Sequence, residues 1–188
     1  MGRVSQAQAE ENRRRVVETA SRLFRERGTH VSVADLMKAA GLTHGGFYKQ
    51  FASKEALVDE ATAHAFGTLT RLHEGGAERY DGERDVAQRA LIDTYLSTEH
   101  RDGAADGCPV AALASDMARD PGEGDAHRVY TEGVGDFAAW LATEDQDGIA
   151  RLCTMLGALV LARATKGDPL SEEILTSAHA ALTVTDRR

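Results

Sequence analysis

Apolar positions along the chain recur every three to four residues, and no segment of strand length alternates strictly between apolar and polar. That pattern predicts an all-α protein. In residues 8–27, Val16, Ala20, Leu23, Phe24 and Arg27 share one helix face, and Gly28 supplies a left-handed cap. Ser32 and Asp35 form a capping box for a second helix with the stripe Val33, Leu36, Met37 and Ala40, ended by Gly41. Thr43 is the expected N-cap of a third helix over residues 44–50, with Phe47 and Phe51 turned inward. A fourth helix starts at Ser53 and is expected to stop after residue 73, before Gly75-Gly76. Further on, residues 83–99 read as a helix with Val86, Ala90 and Leu96 near one side, and residues 101–107 as a polar loop. Pro109 opens a short helix to about residue 119, and residues 120–124 break the chain. Residues 126–142 and 149–165 are predicted helical, 166–169 a stop, and 171–183 a last helix with Ser171 in an imperfect capping box. The two chain ends read as disordered.

Residues 32–51 are the segment with chemical content. Two short helices joined by Gly41-Leu42 make a helix-turn-helix, in which the turn glycine takes a conformation other residues resist. The second of them carries Gly45-Gly46, each costing about 1 kcal/mol of helix propensity relative to Ala. A sequence tolerates that where a base edge or phosphate must come close to the backbone. Tyr48 and Lys49 point away from the Phe47 and Phe51 side and offer a hydroxyl and a cation to phosphates. Lys54 opens the next helix, whose amides also suit the DNA backbone. Charge supports this placement. The whole chain is at −8, yet residues 1–55 carry ten Lys and Arg against six Asp and Glu, leaving an acidic remainder. A basic end on an acidic body suits phosphate binding at one end.

The stretch SVADLMKAAGLTHGGFYKQFASKEAL, residues 32–57, resembles the DNA-binding domain of the tetracycline-repressor (TetR) family, and RRRVVETASRLFRERG before it resembles that family's first helix. The markers are Gly-Leu-Thr, then Phe-Tyr-x-x-Phe, then Ser-Lys-Glu-x-Leu, in order and correctly spaced. The resemblance implies that Thr43, Tyr48 and Lys54 bind phosphates and that His44, Gly45, Gly46 and Lys49 face base edges or the groove; Ser32 is grouped with them. Gln50 departs from the His or Tyr that many members carry there. The implied architecture is a three-helix DNA-binding domain, residues 1–54, and a helical domain for ligand binding and dimerisation, residues 55–188. GCPVAALASDMARD resembles a Gly-Cys-Pro stretch of one branch of the family.

In the second domain, residues 149–165 are apolar on nearly every side, so that helix is expected to be buried on two fronts, its own domain and a second copy; the alternative is a central core helix within one domain. Phe66, Leu69, Tyr95, Met117, Tyr130, Phe137 and Trp140 are the large side chains that line a small-molecule pocket, if they do not simply fill the core. Cys108, directly before Pro109, is expected at a helix N-terminus, where the macrodipole lowers a thiol pKa and favours redox or electrophile sensing; the alternative is a packing cysteine. Cys153 is read as packing. His64, His73, His100 and His127 lack metal spacing and are read as surface or polar-lining residues. No catalytic set, metal site or cofactor motif is recognisable, no segment is long and apolar enough to span a bilayer, and two distant cysteines suit a reducing cytoplasm. The expected protein is a homodimeric regulator, a repressor leaving a palindromic double-stranded operator when an effector binds, with thiol sensing through Cys108 as the alternative.

Overall fold

Helix caps and apolar stripes place the elements of the chain. In a computed structural model, residues 6–120 and 124–183 are described and consist of helices and turns. The two chain ends and the middle of the break at 120–124 lie outside the described residues. Helix α1, Gln6–Arg27, buries Val16, Ala20 and Phe24, and Gly28 caps it with a φ of 83°. Helix α2, Val33–Ala39, starts where the Ser32 hydroxyl accepts the Asp35 amide at 3.1 Å. The Asp35 carboxylate closes the box on the Ser32 hydroxyl at 2.6 Å, rather than on its backbone amide. Gly41 turns the chain with a φ of 70°.

The third helix differs from the α-helix predicted. His44–Lys49 is a 3-10 helix, with Gly46 N donating to the Thr43 carbonyl at 2.9 Å and Gln50 N to that of Phe47 at 2.8 Å. The paired glycines weaken α-helix formation enough for the tighter turn to prevail. Helix α3 is longer than expected, Lys54–Arg79. Gly75-Gly76 stays helical because glycine stops a helix only where the chain turns left-handed. That happens later, at Asp81 and Gly82, with φ of 52° and 80°.

The predicted helix over residues 83–99 is two helices, α4 (Arg84–Tyr95) and α5 (Thr98–Asp102). The Ser97 hydroxyl accepts the His100 amide at 3.1 Å and so restarts the chain. The predicted polar loop therefore contains the end of α5 and a 3-10 turn, Ala104–Asp106. Pro109 opens α6, Pro109–Met117, and α7 (Asp125–Leu141) and α8 (Gly148–Ala164) follow closely where expected. Helix α9, Leu170–Thr183, is not capped by Ser171. That side chain is buried and donates to the Ala162 carbonyl at 2.7 Å, while Asp168 accepts the Leu170 amide at 2.9 Å.

Two apolar clusters organise the molecule. The first gathers Val16, Ala20, Phe24, Leu36, Met37, Phe47, Phe51 and Leu57, and reaches Leu113, Met117 and Ala126. The second holds Phe66, Ile92, Tyr95, Phe137, Leu141, Leu152, Met155, Leu159 and Leu175. Helix α3 runs through both, and Tyr130 packs on both. Polar ties join them as well: Arg22 to Asp106 at 2.5 Å, Arg25 to the Gly107 carbonyl at 3.1 Å, and the Thr29 amide to Asp116 at 3.1 Å.

Candidate functional site

Phe47 and Phe51 decide the geometry of the short turn after α2. Both are buried and their rings stack at 5.4 Å, which pins the His44–Lys49 turn onto α1 and α2. With Phe47 facing in, Tyr48 and Lys49 face out, and Tyr48 is 67% exposed. Its ring stands edge-on to Phe47 at 5.1 Å and to His44 at 6.2 Å, which presents the phenol outward. Thr43 occupies the N-cap position but makes no cap hydrogen bond, and it is exposed together with His44 and Gly45. Among the described residues, nothing beyond Gly45's own chain neighbours and helix backbone lies within 4 Å of where its Cβ would stand, and its φ is not left-handed. Nothing inside the fold requires glycine at that position, so the open space there is available to something outside.

Lys54 stands at the first position of α3, half-buried, beside the Ser53 hydroxyl that accepts the Ala56 amide at 3.2 Å. Among the described residues, neither Lys49 nor Lys54 belongs to an ion pair. Ser32 is exposed, but its hydroxyl is committed to Asp35. The structure thus brings Thr43, His44, Gly45, Tyr48 and Lys49 onto one exposed turn, with Gly46 half-buried beneath and Lys54 at the adjoining helix start.

Sequence reasoning missed Arg13. Its guanidinium donates to the Gln50 carbonyl and to Glu60, and stands 4.4 Å over the Phe51 ring. It ties the end of the exposed turn to α1 and α3 at once. The signal was thin, one arginine in the run of three. Only the packing shows which of them turns inward.

The large side chains expected to line a pocket separate into three settings. Phe66, Leu69 and Phe137 line a groove of about 200 Å³ between α3 and α7. Met117 and Tyr130 line another, of about 300 Å³, between α6 and α7, where the Tyr130 hydroxyl donates to the Val110 carbonyl at 2.8 Å. Burial and the neighbouring Cys108 push the Tyr130 hydroxyl pKa up to about 12. Tyr95 is core, 4% exposed, and Trp140 stacks on His73 at 4.8 Å.

Cys108 stands at the N-cap position of α6 as expected, and its surroundings fit the packing alternative rather than an acidic thiol. The side chain is 5% exposed, and burial pushes the thiol pKa up against the opposing amides of Ala111 and Val110 and the Tyr95 hydroxyl. Desolvation of a thiolate outweighs the favourable helix end. Cys153 is also corrected: it is exposed, on the outer side of α8. His100 is neither a surface residue nor a pocket lining. Its Nε2 accepts the Cys108 amide at 3.2 Å and its Nδ1 donates to the Tyr95 carbonyl at 2.7 Å, so the ring is neutral and structural.

Helix α8 turns Leu152, Met155, Leu159 and Ala162 into the second cluster. Ile149, Val160 and Leu161 stay 65%, 47% and 56% exposed on its other side, with Cys153 among them. Among the described residues, no helix is long and apolar enough to cross a membrane.

Comparison with known proteins gives these surfaces a context. Residues 16–61 match the family described as bacterial regulatory proteins, tetR family. An uncharacterized HTH-type transcriptional regulator of Mycobacterium tuberculosis is 34% identical over 111 residues, covering 54% of this chain and 51% of that protein. The HTH-type transcriptional regulator AcrR of Shigella flexneri is 36% identical over 100 residues, covering 52% and 46% respectively. The chain thus spans about half the length of the relatives it matches by sequence. A TetR-family transcriptional regulator from Agrobacterium tumefaciens shares the fold at a TM-score of 0.74 and 19% identity, over 94% of this chain and 100% of that one. The reduced form of NemR from E. coli does so at 0.72 and 22% identity, over 92% and 95%.

Proposed function

The chain belongs to the tetR family of bacterial regulatory proteins, and on that premise we propose that it is a DNA-binding transcriptional regulator acting as a two-fold pair. The observation that carries the reading is the exposed turn Thr43–Lys49, held by buried Phe47 and Phe51 within the segment that matches the family. Thr43, Tyr48 and Lys54 contact phosphates, while His44, Gly45, Gly46 and Lys49 lie against base edges of the major groove. Ser32 acts at this end through its cap. Residues 1–54 form the DNA unit and residues 55–188 the unit for dimerisation and effector binding.

Support for the pair comes from α8, where Ile149, Val160 and Leu161 form an apolar face that the described residues leave uncovered. A second copy would cover it and set two recognition turns one helical turn apart on a pseudo-palindromic operator in the cytoplasm. The protein represses, and a small effector releases it by favouring a subunit arrangement that no longer fits that spacing. The thiol alternative has weaker support, because burial works against a reactive Cys108.

Selection of bound sequences from random DNA tests the reading and is expected to return a palindrome. On the selected site, Tyr48→Phe and Lys54→Ala weaken binding several-fold across sequences, and Lys54→Ala lowers the salt slope by about one. Lys49→Ala changes sequence preference instead. If a gel shift finds binding unchanged in all three, the turn does not enter the groove.

A further inference from the structure

The groove between α3 and α7 has a chemistry of its own. Phe66, Leu69 and Phe137 supply apolar surface, and Glu132 and Asp136, one turn apart on α7, supply carboxylates. Arg128 donates to both oxygens of Glu132 at 3.0 Å, so that acid is already partnered. Among the described residues Asp136 has no ion pair, and neither Lys nor Arg lines the groove. The other arginine nearby, Arg71, donates to the Thr68 hydroxyl at 3.0 Å. His73 also lines the groove, stacked 4.8 Å from Trp140 and 4.6 Å from Phe137, and its Nε2 is buried without a hydrogen-bond partner.

We infer that this groove is a binding site for a small aromatic ammonium ion. The inference rests on the effector-controlled regulator proposed above and names the effector's class. The ammonium group pairs with the Asp136 carboxylate, while the ring lies against Phe66 and Phe137. Burial lowers the His73 pKa to about 4, so at neutral pH its imidazole is uncharged and does not repel a cation. An anion would meet two carboxylates. The volume of about 200 Å³ lies below the usual range for drug-sized ligands, so the occupant is small.

The same groove is placed to reach the DNA end. A Cβ on Gly133 would stand 2.1 Å from the Phe66 ring, so α3 and α7 are pressed together there without slack. A molecule seated beside that contact bears on both helices where they have no room to give. Helix α3 begins at Lys54, next to the recognition turn, and the first turn of α7 is tied to α3 by the Ala126 amide on Asp59 at 2.8 Å. Displacement of either helix is therefore carried to the first apolar cluster, to which Leu57, Ala61 and Ala126 belong.

Trp140 is the single tryptophan and stacks on His73, so its fluorescence reports occupancy in the full chain. Phenethylammonium, 2-phenylethanol and phenylacetate are titrated as the cationic, neutral and anionic forms of one shape. Phenethylammonium is expected to saturate with at least roughly tenfold higher affinity than the alcohol, and phenylacetate to bind weakest. Asp136→Asn, checked for unchanged melting, is expected to lower amine affinity roughly tenfold and remove the preference over the alcohol. Equal binding of amine and alcohol, no saturation by the amine, or an Asp136→Asn protein that keeps the preference overturns the site. A gel shift on DNA selected by the native protein then tests coupling. Amine that saturates the groove yet leaves DNA affinity unchanged overturns effector control and keeps the site. Failure of the native protein to select any DNA overturns the regulator reading, while the fluorescence result stands on its own.

Discussion

The His44–Lys49 turn and helix α8 both expose side chains that the described residues leave uncovered, but with opposite chemistry. The turn presents hydroxyls, an imidazole, a lysine and bare backbone over two buried phenylalanines. Helix α8 presents Ile149, Val160 and Leu161 over Leu152, Met155 and Leu159. A polar exposed face on a glycine-softened turn costs little in water and waits for a charged partner. An apolar exposed face is unfavourable at about 25 cal/mol per Å², so it favours a covered state. On the proposed reading, the first surface lets its partner go and the second keeps it.

That contrast can be broken at either end. The largest effect is expected from Phe47→Ala, which removes the floor of the turn. Stability measured by denaturant unfolding falls by about 3–5 kcal/mol, and DNA binding is lost with it. Next, Val160→Asp combined with Leu161→Asp places charge on the outer side of α8. Sedimentation velocity is expected to show a folded monomer, with operator affinity reduced about 100-fold because one half-site is held alone. A dimer that persists would move the interface off α8. Arg13→Met sharpens the comparison from inside. It keeps some packing on Phe51 but drops the hydrogen bonds to Gln50 and Glu60, so the turn loses its register. Discrimination between operator and random DNA is expected to fall roughly tenfold at an unchanged salt slope, since no phosphate contact is lost.

The smallest effect concerns pH. The folded state holds the His73 pKa at about 4, below its ordinary value of 6.5. The unfolded chain therefore binds the proton more readily, so this group's contribution is intact above pH 6.5 and is lost as pH falls toward 4. Denaturant midpoints at pH 7.5 and pH 5 should differ more in the native protein than in His73→Phe. An equal difference in both would place the acid sensitivity elsewhere.

Local order was legible where local chemistry dictates it. Ser32 capping α2, Gly28 and Gly41 turning left-handed, and the inward and outward sorting of Phe47 against Tyr48 all follow from spacing and side-chain type. Errors arose where a local rule competed with a distant partner. Gly75-Gly76 reads as a stop, yet α3 continues to Arg79. Ser171 reads as a cap, yet the Ala162 carbonyl on α8 claims its hydroxyl. Cys108 sits at a helix end that favours a thiolate, but the packing around it decides its pKa.

The sequence by itself determined the all-α class, the capped helix-turn-helix and which residues that turn offers outward. Those properties are set by contacts between residues a few positions apart, which any copy of the segment would repeat. Only the tertiary structure decided which half of apolar α8 faces out, which arginine of the run 13–15 braces the turn, and that Asp136 and His73 line one groove. Periodicity states that a helix face is apolar but not what lies against it. That depends on crossings such as Gly133 against Phe66, between residues far apart in the chain.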